Sequence, residues 1–469
     1  MVGKNLAQSN IRTNIWSISV AIISTLILLP ILSLLFLSLG DSQGLWKHLL
    51  ENVLLKYVTT TLSLMFGVLA LSLIFGISTA WIITIYDFPF KRYIDLILIL
   101  PAACPAYLVA YAYTDFFEYA GPVQGILRNY MGWSSASDYY FPEIRSIGGA
   151  IFVLASVLYP YIYILTRTAF LQTPSSLIEV SNLYGRNKFW NVSLPIARPA
   201  IIAGSALVGM EVISDFGTVE YFSLQTLTLG IFNVWIGMNN ITAASQIAVF
   251  TFLFIILLLL VETKSRAEKR YHDTSRHHSQ FKIENASGFK ALMLIMICFV
   301  PVLCGFFIPI SILTSNISEF SDLSKLITLT PVLWNTMMVA SLGSTVIVTV
   351  ATFLACTTVV NGDKKLQHFA SISAMGYAFP GTMLAIGVLT CLGLVDKFLS
   401  WTDIYLSGTL FALFFAYLVR FQAVGYGAML SGVRRLPKNL MSASRVLGHG
   451  YVASLRQVIL PLLKSSFLA

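Results

Sequence analysis

Ten long apolar runs constrain this sequence more than any other feature. A helix of about 20 apolar residues crosses the hydrocarbon core of a bilayer, and most of the runs reach or exceed that length. Hydrophobic residues make up 57% of the chain and charged residues only 11%, whereas about a quarter of a soluble domain is charged. The sequence therefore predicts an all-α polytopic membrane protein. The predicted spans are residues 15–39, 58–85, 93–113, 148–166, 200–214, 243–261, 291–313, 332–360, 369–394 and 405–426.

The third run contains two prolines. Pro101 and Pro105 lie inside residues 93–113, and a proline inside a helix removes a hydrogen bond and clashes with the preceding turn. We therefore expect the third span to be kinked or broken.

Two polar, basic stretches lie between apolar runs and repeat one pattern. In residues 174–199 and 437–461, a proline is followed at equal offsets by leucine, serine and glycine, and then by Leu-Pro. The matched pairs are Pro174 and Pro437, Leu177 and Leu440, Ser181 and Ser444, Gly185 and Gly448, and Pro195 and Pro461. Proline favours the first turn of a helix, and glycine favours the left-handed position after its end. Each stretch is therefore predicted to be a short helical hairpin with a positive-φ glycine.

The repeat divides the chain into two homologous halves. Residues 1–262 hold six predicted spans around the first hairpin, residues 263–290 form a basic linker, and residues 291–469 hold four spans and the second hairpin. Only eight residues follow the Leu-Pro of the second hairpin, whereas 66 follow it in the first half up to Val261, the end of the sixth span. We expect the second half to be C-terminally incomplete by about two spans.

Basic residues cluster in the short loops between the apolar runs. The net charge is +9, but the positive-inside rule accounts for it, and nucleic-acid binding is not expected. Seven Lys or Arg residues lie in the linker region, so the N-terminus, both hairpins and the linker are predicted to be cytoplasmic. Arg167 and Arg420, near the inner ends of two spans, are expected to snorkel to the same interface.

The cysteines and the linker histidines lack a clear metal-binding pattern. Five cysteines lie singly in apolar runs, which is typical of small buried side chains. His272, His277 and His278 are close together in the linker, where a solvated segment is the simpler interpretation and a metal site the alternative. No stably bound metal is predicted.

The hairpins carry the first resemblance to a known family. The triplet Glu179-Val180-Ser181, followed by Gly185 and Leu194-Pro195, resembles the cytoplasmic coupling loop of ABC-importer permeases. Pro195 follows this glycine by ten positions. The second copy has the family spacing of 13, but it has Met441-Ser442-Ala443 in place of the acidic triplet. The resemblance implies that an ATPase binds both hairpins. The implied coupling residues are Glu179, Ser181, Gly185, Pro195, Ser444, Gly448 and Pro461.

Longer segments resemble the fused, two-half permeases of bacterial ferric-iron importers, which are MetI-like type I ABC permeases. The matching segments are residues 105–124, 158–170, 214–222 and 375–389, and SDFGTVEYF at 214–222 is the most specific. The resemblance implies a pore of two homologous halves in the bacterial inner membrane, fed by a periplasmic binding protein. It also implies a separate ABC ATPase, a homodimer that binds ATP and Mg²⁺, so this chain is not itself an enzyme and needs no cofactor.

Carboxylates and tyrosines at the predicted outer ends of spans three and five are the candidate substrate path. Ferric ion is a hard cation that prefers oxygen ligands. Asp215 is the first candidate, because an ionisable group at the end of a span usually faces a water-filled path; the alternative is a helix cap. The other candidates are Glu211, Glu220, Tyr221 and Asp115, with Glu118, Tyr111, Tyr113 and Tyr119 nearby. An interfacial aromatic belt and water-facing carboxylates would explain the same residues.

Other functions remain as alternatives. Fused permeases for thiamine or small phosphonates share the architecture, so the substrate stays open within the ABC class. A secondary transporter with inverted repeats would place equivalent loops on opposite faces, whereas both hairpins lie on the basic side. The sequence contains no G-x-x-x-x-G-K-[ST], H-E-x-x-H or G-x-S-x-G motif, so nucleotide hydrolysis and the corresponding membrane enzymes are not predicted.

Overall fold

The structure is a computed structural model that describes residues 2–267, 284–319, 323–361, 364–402, 405–437 and 440–467. The first helices are α1 (Val2–Ser38), α2 (Leu45–Asn52), α3 (Leu54–Ile85), α4 (Lys91–Ile97), α5 (Ala106–Phe117), α6 (Pro122–Met131), α7 (Ile147–Leu171), α8 (Ser175–Leu183), α9 (Leu194–Ser214), α10 (Gly217–Tyr221), α11 (Leu227–Phe232) and α12 (Ile241–Ala267). They are followed by α13 (Gly288–Val302), α14 (Ile308–Glu319), α15 (Leu323–Asn361), α16 (Lys364–Ser373), α17 (Gly381–Phe398), α18 (Leu410–Arg435), α19 (Leu440–Val446), α20 (Tyr451–Ser454), α21 (Leu460–Leu462) and α22 (Lys464–Phe467). Two two-residue strands, β1 (Tyr86–Asp87) and β2 (Glu284–Asn285), pair in parallel.

The helices confirm an all-α polytopic membrane protein. Among the described residues, nine helical segments are long and apolar enough to cross a membrane, and a bent pair of helices adds a tenth. All ten overlap the predicted spans. The nine are Ile15–Ser38, Leu54–Ile85, Ile147–Leu171, Phe189–Ser214, Ile241–Val261, Gly288–Ile317, Leu329–Val359, Gly381–Phe398 and Leu410–Arg435.

The third span is broken, as its prolines predicted. Its two parts, Lys91–Ala103 and Ala106–Met131, meet at an angle of 88°. The break falls at Cys104 and Pro105, where Cys104 is extended, with φ −90° and ψ 125°. A residue before proline is pushed out of the helical region because the proline ring crowds its backbone.

The ninth span is also broken, which the sequence interpretation did not anticipate. A single span over residues 369–394 is wrong: α16 ends at Ser373, and α17 begins at Gly381. Pro380 lies immediately before α17 and forces Phe379 into an extended conformation, with φ −87° and ψ 132°. Both halves of the chain therefore contain one span that is interrupted at a proline.

One compact unit, the first-hairpin unit, comprises Gln43–Met238 and Phe250–Ser321. Its core is the packing of α3, α7 and α9. Glycines allow these helices to approach closely: a Cβ on Gly76 would lie 2.8 Å from Ile162 Cγ2, and one on Gly204 would lie 2.9 Å from Ile162 Cα.

The other compact unit, the second-hairpin unit, comprises Met1–Ser42, Asn239–Val249 and Asp322–Ala469. In it α1 packs against α15, α16 and α17. The Ser33 hydroxyl donates to the Gly387 carbonyl at 2.8 Å, and the rings of Trp16 and Phe353 lie 5.8 Å apart.

The compact units do not follow the boundaries of the two sequence halves. The first span of the first half belongs to the second-hairpin unit, and the α13–α14 span that opens the second half belongs to the first-hairpin unit. There Tyr113 Oη donates to the Cys304 carbonyl at 2.7 Å. Each half therefore contributes its first span to the helices of the other half.

Candidate functional sites

The first hairpin ends its first helix in a Schellman turn. After α8, Gly185 lies in the left-handed region with φ 63°. The Arg186 N–H donates to the Ser181 carbonyl at 2.9 Å, and the Gly185 N–H donates to the Asn182 carbonyl at 3.1 Å. This pair of bonds defines the motif and satisfies carbonyls at the helix end. The predicted positive-φ glycine is confirmed.

The second hairpin repeats this turn. Gly448 follows α19 with φ 88°, and the His449 N–H donates to the Ser444 carbonyl at 3.1 Å. The prediction of a helix, a glycine turn and a second helix is therefore confirmed in both copies.

The recurring serine holds each hairpin together from inside. Ser181 and Ser444 are each 5% exposed. The Ser181 hydroxyl donates to the Arg186 carbonyl at 3.0 Å, and the Ser444 hydroxyl donates to Ser454 Oγ at 2.8 Å. In both copies the hydroxyl thus joins the first helix to the chain beyond the glycine.

Each Leu-Pro follows a π-helical segment. These segments are Phe189–Ser193 in the first hairpin and Leu455–Ile459 in the second. A proline ring crowds the carbonyl four residues earlier, and for Pro195 that carbonyl belongs to Asn191, inside the wider turn. The second hairpin has one additional helical turn, α20, before its π segment, and this turn accounts for its longer glycine-to-proline spacing.

Apolar side chains are exposed on both hairpins. Leu183 and Tyr184 of the first hairpin are 85% and 78% exposed, and Val446 and Leu447 of the second are 86% and 77% exposed. The first hairpin also has a cavity of about 500 Å³, and Glu179 on α8 is exposed as well. The cavity is lined by Leu177, Val180, Ser181, Tyr184, Arg186, Asn191, Val192, Pro195 and Ile196. Clustered exposed apolar surface marks an interaction site.

The first hairpin is tied to the end of the linker, which sequence reasoning missed. Lys188 forms an ion pair with Glu284 of β2. The β1–β2 pair holds this segment at the end of α3, and Lys290 Nζ lies 4.5 Å from the centre of the Tyr86 ring. No sequence signal identifies Lys188 and Glu284 as partners, because 96 positions separate them.

The linker histidines His272, His277 and His278 lie outside the described residues.

Some of the predicted path residues of spans three and five meet around an arginine. Glu118 Oε1 forms an ion pair with Arg145 Nε at 2.5 Å. The same guanidinium lies 5.0 Å from the centre of the Tyr221 ring, and the rings of Tyr221 and Tyr111 are 6.2 Å apart. Sequence reasoning did not single out Arg145, whose charge neutralises one of the carboxylates.

The other predicted path residues do not join this cluster, and most of them have separate partners. Asp115 Oδ2 accepts a hydrogen bond from Asn316 Nδ2 at 2.8 Å. Tyr113 is buried, and its hydroxyl donates a hydrogen bond to the Cys304 carbonyl. The Arg128 guanidinium lies 4.0 Å from the centre of the Tyr119 ring. Glu220 is exposed.

Asp215 has the geometry of a helix cap. Its Oδ2 accepts from the N–H groups of Thr218 and Val219 at 3.0 and 3.1 Å, and its Oδ1 accepts from the Thr218 hydroxyl at 3.1 Å. These are donors at the start of α10 that would otherwise lack partners. Burial outweighs the hydrogen bonds and raises the pKa of Asp215 to about 6, and the nearby charge of Glu211 also raises it.

The carboxylates do not form a metal centre within the described ranges. No group of three or more His, Cys, Asp or Glu residues there could hold a metal ion. Glu211 is half-buried on α9, one helical turn before Asp215. The roles of Asp215, Glu211, Glu220, Tyr221 and Asp115 in a substrate path stay predictions.

An ion pair that the sequence interpretation missed joins α4 to α7. Asp95 Oδ1 accepts from the Tyr163 hydroxyl at 2.5 Å, and Asp95 Oδ2 pairs with Arg167 Nη2. Arg167 was expected to extend to the interface; in the structure it forms this ion pair, with its side chain 32% exposed. Asp95 was a signal in the sequence, because an ionisable residue within an apolar span needs a partner.

Arg420 also differs from the expectation that it snorkels from a helix end. Because α18 continues to Arg435, Arg420 lies near the middle of the helix. Its Nη1 is 2.9 Å from the position of a Cβ on Gly381, the first residue of α17. The guanidinium therefore lies at the break of the ninth span.

Comparison with known proteins gives relatives that are all named as permease proteins of transport systems. The chain is 25% identical over 209 residues to the probable sulfate transport system permease protein cysT of Chlorokybus atmophyticus, covering 44% of this chain and 70% of that protein. It is 21% identical over 395 residues to the ferric transport system permease protein FbpB of Actinobacillus pleuropneumoniae, covering 79% of this chain and 55% of that protein. It is 22% identical over 396 residues to the Fe(3+)-transport system permease protein FbpB 2 of Haemophilus influenzae, covering 81% and 71%.

A family model also matches part of the chain. The model of the DUF1980 N-terminal domain matches residues 220–321. This match is shorter than a quarter of the chain and covers neither hairpin.

The homologues are ABC-importer permeases, and they support this class for the chain: a multi-pass transport subunit rather than an enzyme. Permeases for sulfate, molybdate or tungstate, and 2-aminoethylphosphonate occur among them beside the ferric ones. Of these alignments, the two with the ferric permeases are the longest and extend over both sequence halves. The chain spans just over half the length of the A. pleuropneumoniae permease.

Proposed function

We propose that the chain is a permease subunit of a bacterial ABC importer for ferric iron. The observation that carries the proposal is the extent of the alignments: those with the two ferric permeases cover 79% and 81% of this chain, whereas the alignment with cysT covers 44%. The longer alignments extend over both sequence halves.

The hairpins support coupling to a separate ABC ATPase. Both copies hold a rigid glycine turn and expose large apolar side chains, among them Leu183, Tyr184 and Leu447. Tyrosine is enriched among the residues that dominate interface energies, and the leucines add apolar surface that is removed from water on binding. We propose that Glu179, Ser181, Gly185, Pro195, Ser444, Gly448 and Pro461 form or shape this ATPase contact, and that ATP and Mg²⁺ are bound by the ATPase.

The membrane orientation follows from the same proposal. The basic linker and both hairpins would face the cytoplasm of an inner membrane, consistent with the positive-inside rule. The opposite end of the first-hairpin unit, with Asp115, Asp215 and Glu220, would then receive ferric iron from a periplasmic binding protein. Carboxylate oxygen suits such a cation as a transient ligand.

Copurification and uptake test the proposal. The full chain, carrying an affinity tag in the membranes of its own host, should copurify with an ABC ATPase. Vesicles from these cells, supplied with the periplasmic fraction and ATP, should take up labelled ferric iron, but not labelled sulfate, molybdate, 2-aminoethylphosphonate or thiamine. Uptake of one of those compounds instead would reassign the substrate within the class. Absence of an ATPase together with uptake driven by an ion gradient would favour a secondary transporter.

A further inference from the structure

The broken spans of the two halves can be compared residue by residue. Asp95 lies ten residues before Pro105, and Ala370 lies ten residues before Pro380. Counting back from the prolines that begin the hairpins gives three further pairs. Tyr163 and Tyr426 each lie 11 residues before, Tyr159 and Gln422 lie 15 before, and Arg167 and Leu430 lie seven before.

In the first-hairpin unit these positions fasten the break to the neighbouring helix. Tyr163 and Arg167 of α7 both bind the Asp95 carboxylate of α4. The Tyr159 hydroxyl donates to the Leu98 carbonyl, at the end of α4, at 2.8 Å. We call Asp95, Tyr163 and Arg167 the latch.

At the matched positions, the second-hairpin unit retains the tyrosine but not the charges of the latch. Ala370 replaces the carboxylate, and Leu430 replaces the guanidinium. Within the described part of the chain, the Tyr426 hydroxyl and both polar atoms of the Gln422 side chain are buried without a hydrogen-bond partner. Tyr426 is 3% exposed and Gln422 is not exposed at all.

These differences make the two breaks unequal in stability. Separating α4 from α7 would break an ion pair whose side chains are only 32% and 26% exposed, and it would leave both partly buried charges without their partner, which is unfavourable. At the matched positions Ala370 and Leu430, α16 and α18 have no charged side chains to pair, and their separation would relieve the buried polar groups of Gln422 and Tyr426, which are unfavourable where they are.

We infer that the two broken spans have different mechanical roles: the latch holds the first break closed, and the second break is the one that opens. The opening element is α16 with the segment up to Pro380, which separates from α18. The inference concerns the opening of the helices and does not depend on the transported substrate or on the ATPase.

Cysteine labelling at matched buried positions tests this inference. Leu98 and Ser373 lie seven residues before the two prolines, and both are fully buried. In the full chain with its five native cysteines replaced, Leu98→Cys and Ser373→Cys are treated with a water-soluble maleimide in lipid nanodiscs. Local opening governs the reaction of a buried thiol, so the Ser373→Cys thiol should react about tenfold faster or more. Equal rates, or faster reaction at Leu98→Cys, would overturn the inference.

A second test introduces the charged residues of the latch at the matched positions of the second-hairpin unit. Ala370→Asp together with Leu430→Arg should slow the labelling of Ser373→Cys to the rate of Leu98→Cys, whereas Ala370→Asn with Leu430→Gln, which adds similar side chains without charge, should have a smaller effect. An unchanged rate in the charged variant would contradict the proposed role of the ion pair.

A third comparison does not require the transplanted variant to fold. Tyr163→Phe removes the hydroxyl that is one of the two partners of the Asp95 carboxylate, so it should lower the thermal-unfolding temperature. Tyr426→Phe removes a hydroxyl that has no partner, so it should leave the unfolding temperature unchanged or raise it. A larger loss for Tyr426→Phe than for Tyr163→Phe would contradict the inference.

Discussion

The two hairpin glycines are required by their backbone conformation and not by a lack of space. Gly185 and Gly448 have φ values of 63° and 88°, and nothing lies within 4 Å of a Cβ added to either. A side chain at these positions is therefore strained by the backbone alone. The turns decide the direction in which each hairpin presents its exposed apolar side chains.

Gly448→Val should uncouple the second hairpin from its ATPase. The left-handed conformation costs a β-branched residue roughly 1–2 kcal/mol or more, so the turn should rearrange. ATPase copurification and uptake are the measurements. Gly450→Val is the matched control, because residue 450 also has open space but no left-handed backbone. Wild-type ATPase association and uptake in Gly448→Val would show that the turn is not needed for coupling.

Asp215 should make folding stability depend on pH. Its raised pKa means that the folded protein holds the proton more tightly than the unfolded chain, so the favourable contribution is present below about pH 4 and is lost as the pH rises through about 6. Asp215→Asn keeps the cap and cannot ionise. Relative to the unaltered protein, it should therefore gain unfolding temperature between pH 4 and 7. A pH-independent difference between the two proteins would mean that Asp215 has an ordinary pKa.

The same substitution separates a cap from a path residue. If the Asp215 carboxylate helps a multivalent cation enter the membrane, Asp215→Asn should reduce ferric uptake while expression and ATPase association stay normal. Unchanged uptake would leave Asp215 as a cap only, and Glu211 and Glu220 would be the next candidates to test.

At the scale of the helices, close packing depends on glycines that face a neighbouring helix. Gly76 of α3 lies against α7, where an added Cβ would be 2.8 Å from Ile162 Cγ2 and 3.1 Å from the Tyr163 backbone nitrogen. A larger side chain must push the two helices apart, because the backbone nitrogen cannot rotate away. This crossing also carries Tyr163, so it affects the position of the latch.

Gly76→Val should destabilise the first-hairpin unit by about 1–3 kcal/mol, the usual cost of overpacking. Thermal unfolding of the purified protein measures the effect. Gly125→Ala is the control: it lies on α6 with open space around its Cβ, and alanine in place of an open helical glycine should stabilise by up to about 1 kcal/mol. Equal unfolding temperatures for Gly76→Val and the unaltered protein would show that α3 and α7 can separate without cost.

The elements differ in how far the sequence determines them. Apolar length predicts the spans, and the prolines at 101 and 105 predict the break in the third, because both effects are local. The break at Pro380 was equally local but was overlooked within an otherwise continuous apolar run. The ion pair of Asp95 with Arg167 joins residues 72 positions apart, and periodicity cannot identify such a partner.

For the whole molecule, hydropathy predicts how many helices cross the membrane but not which of them pack together. From Ile15 onward, apolar residues surround α1 on all sides, so its sequence gives no reason to pack with α16 and α17 rather than with another apolar helix. The structure resolves this through small contacts such as Ser33 with Gly387. Because each half contributes its first span to the other unit, neither half contains a complete unit by itself.

Assembly with the ATPase should depend mainly on the exposed apolar side chains of the hairpins. Under the proposed function, Tyr184→Ala combined with Leu447→Ala should weaken ATPase association by more than about tenfold, since truncating a tyrosine anchor can cost about 2 kcal/mol or more and the leucine adds lost apolar burial. Glu179→Ala should weaken it by about fivefold or less, because an exposed charge contributes at most about 1 kcal/mol. Titration of the purified ATPase into the permease in nanodiscs measures both, and Tyr130→Ala, an exposed tyrosine on α6 at 84% exposure, is the control for removing a surface aromatic residue. A larger loss from Glu179→Ala than from the double variant would mean that charge, and not apolar contact, holds the ATPase on the hairpins.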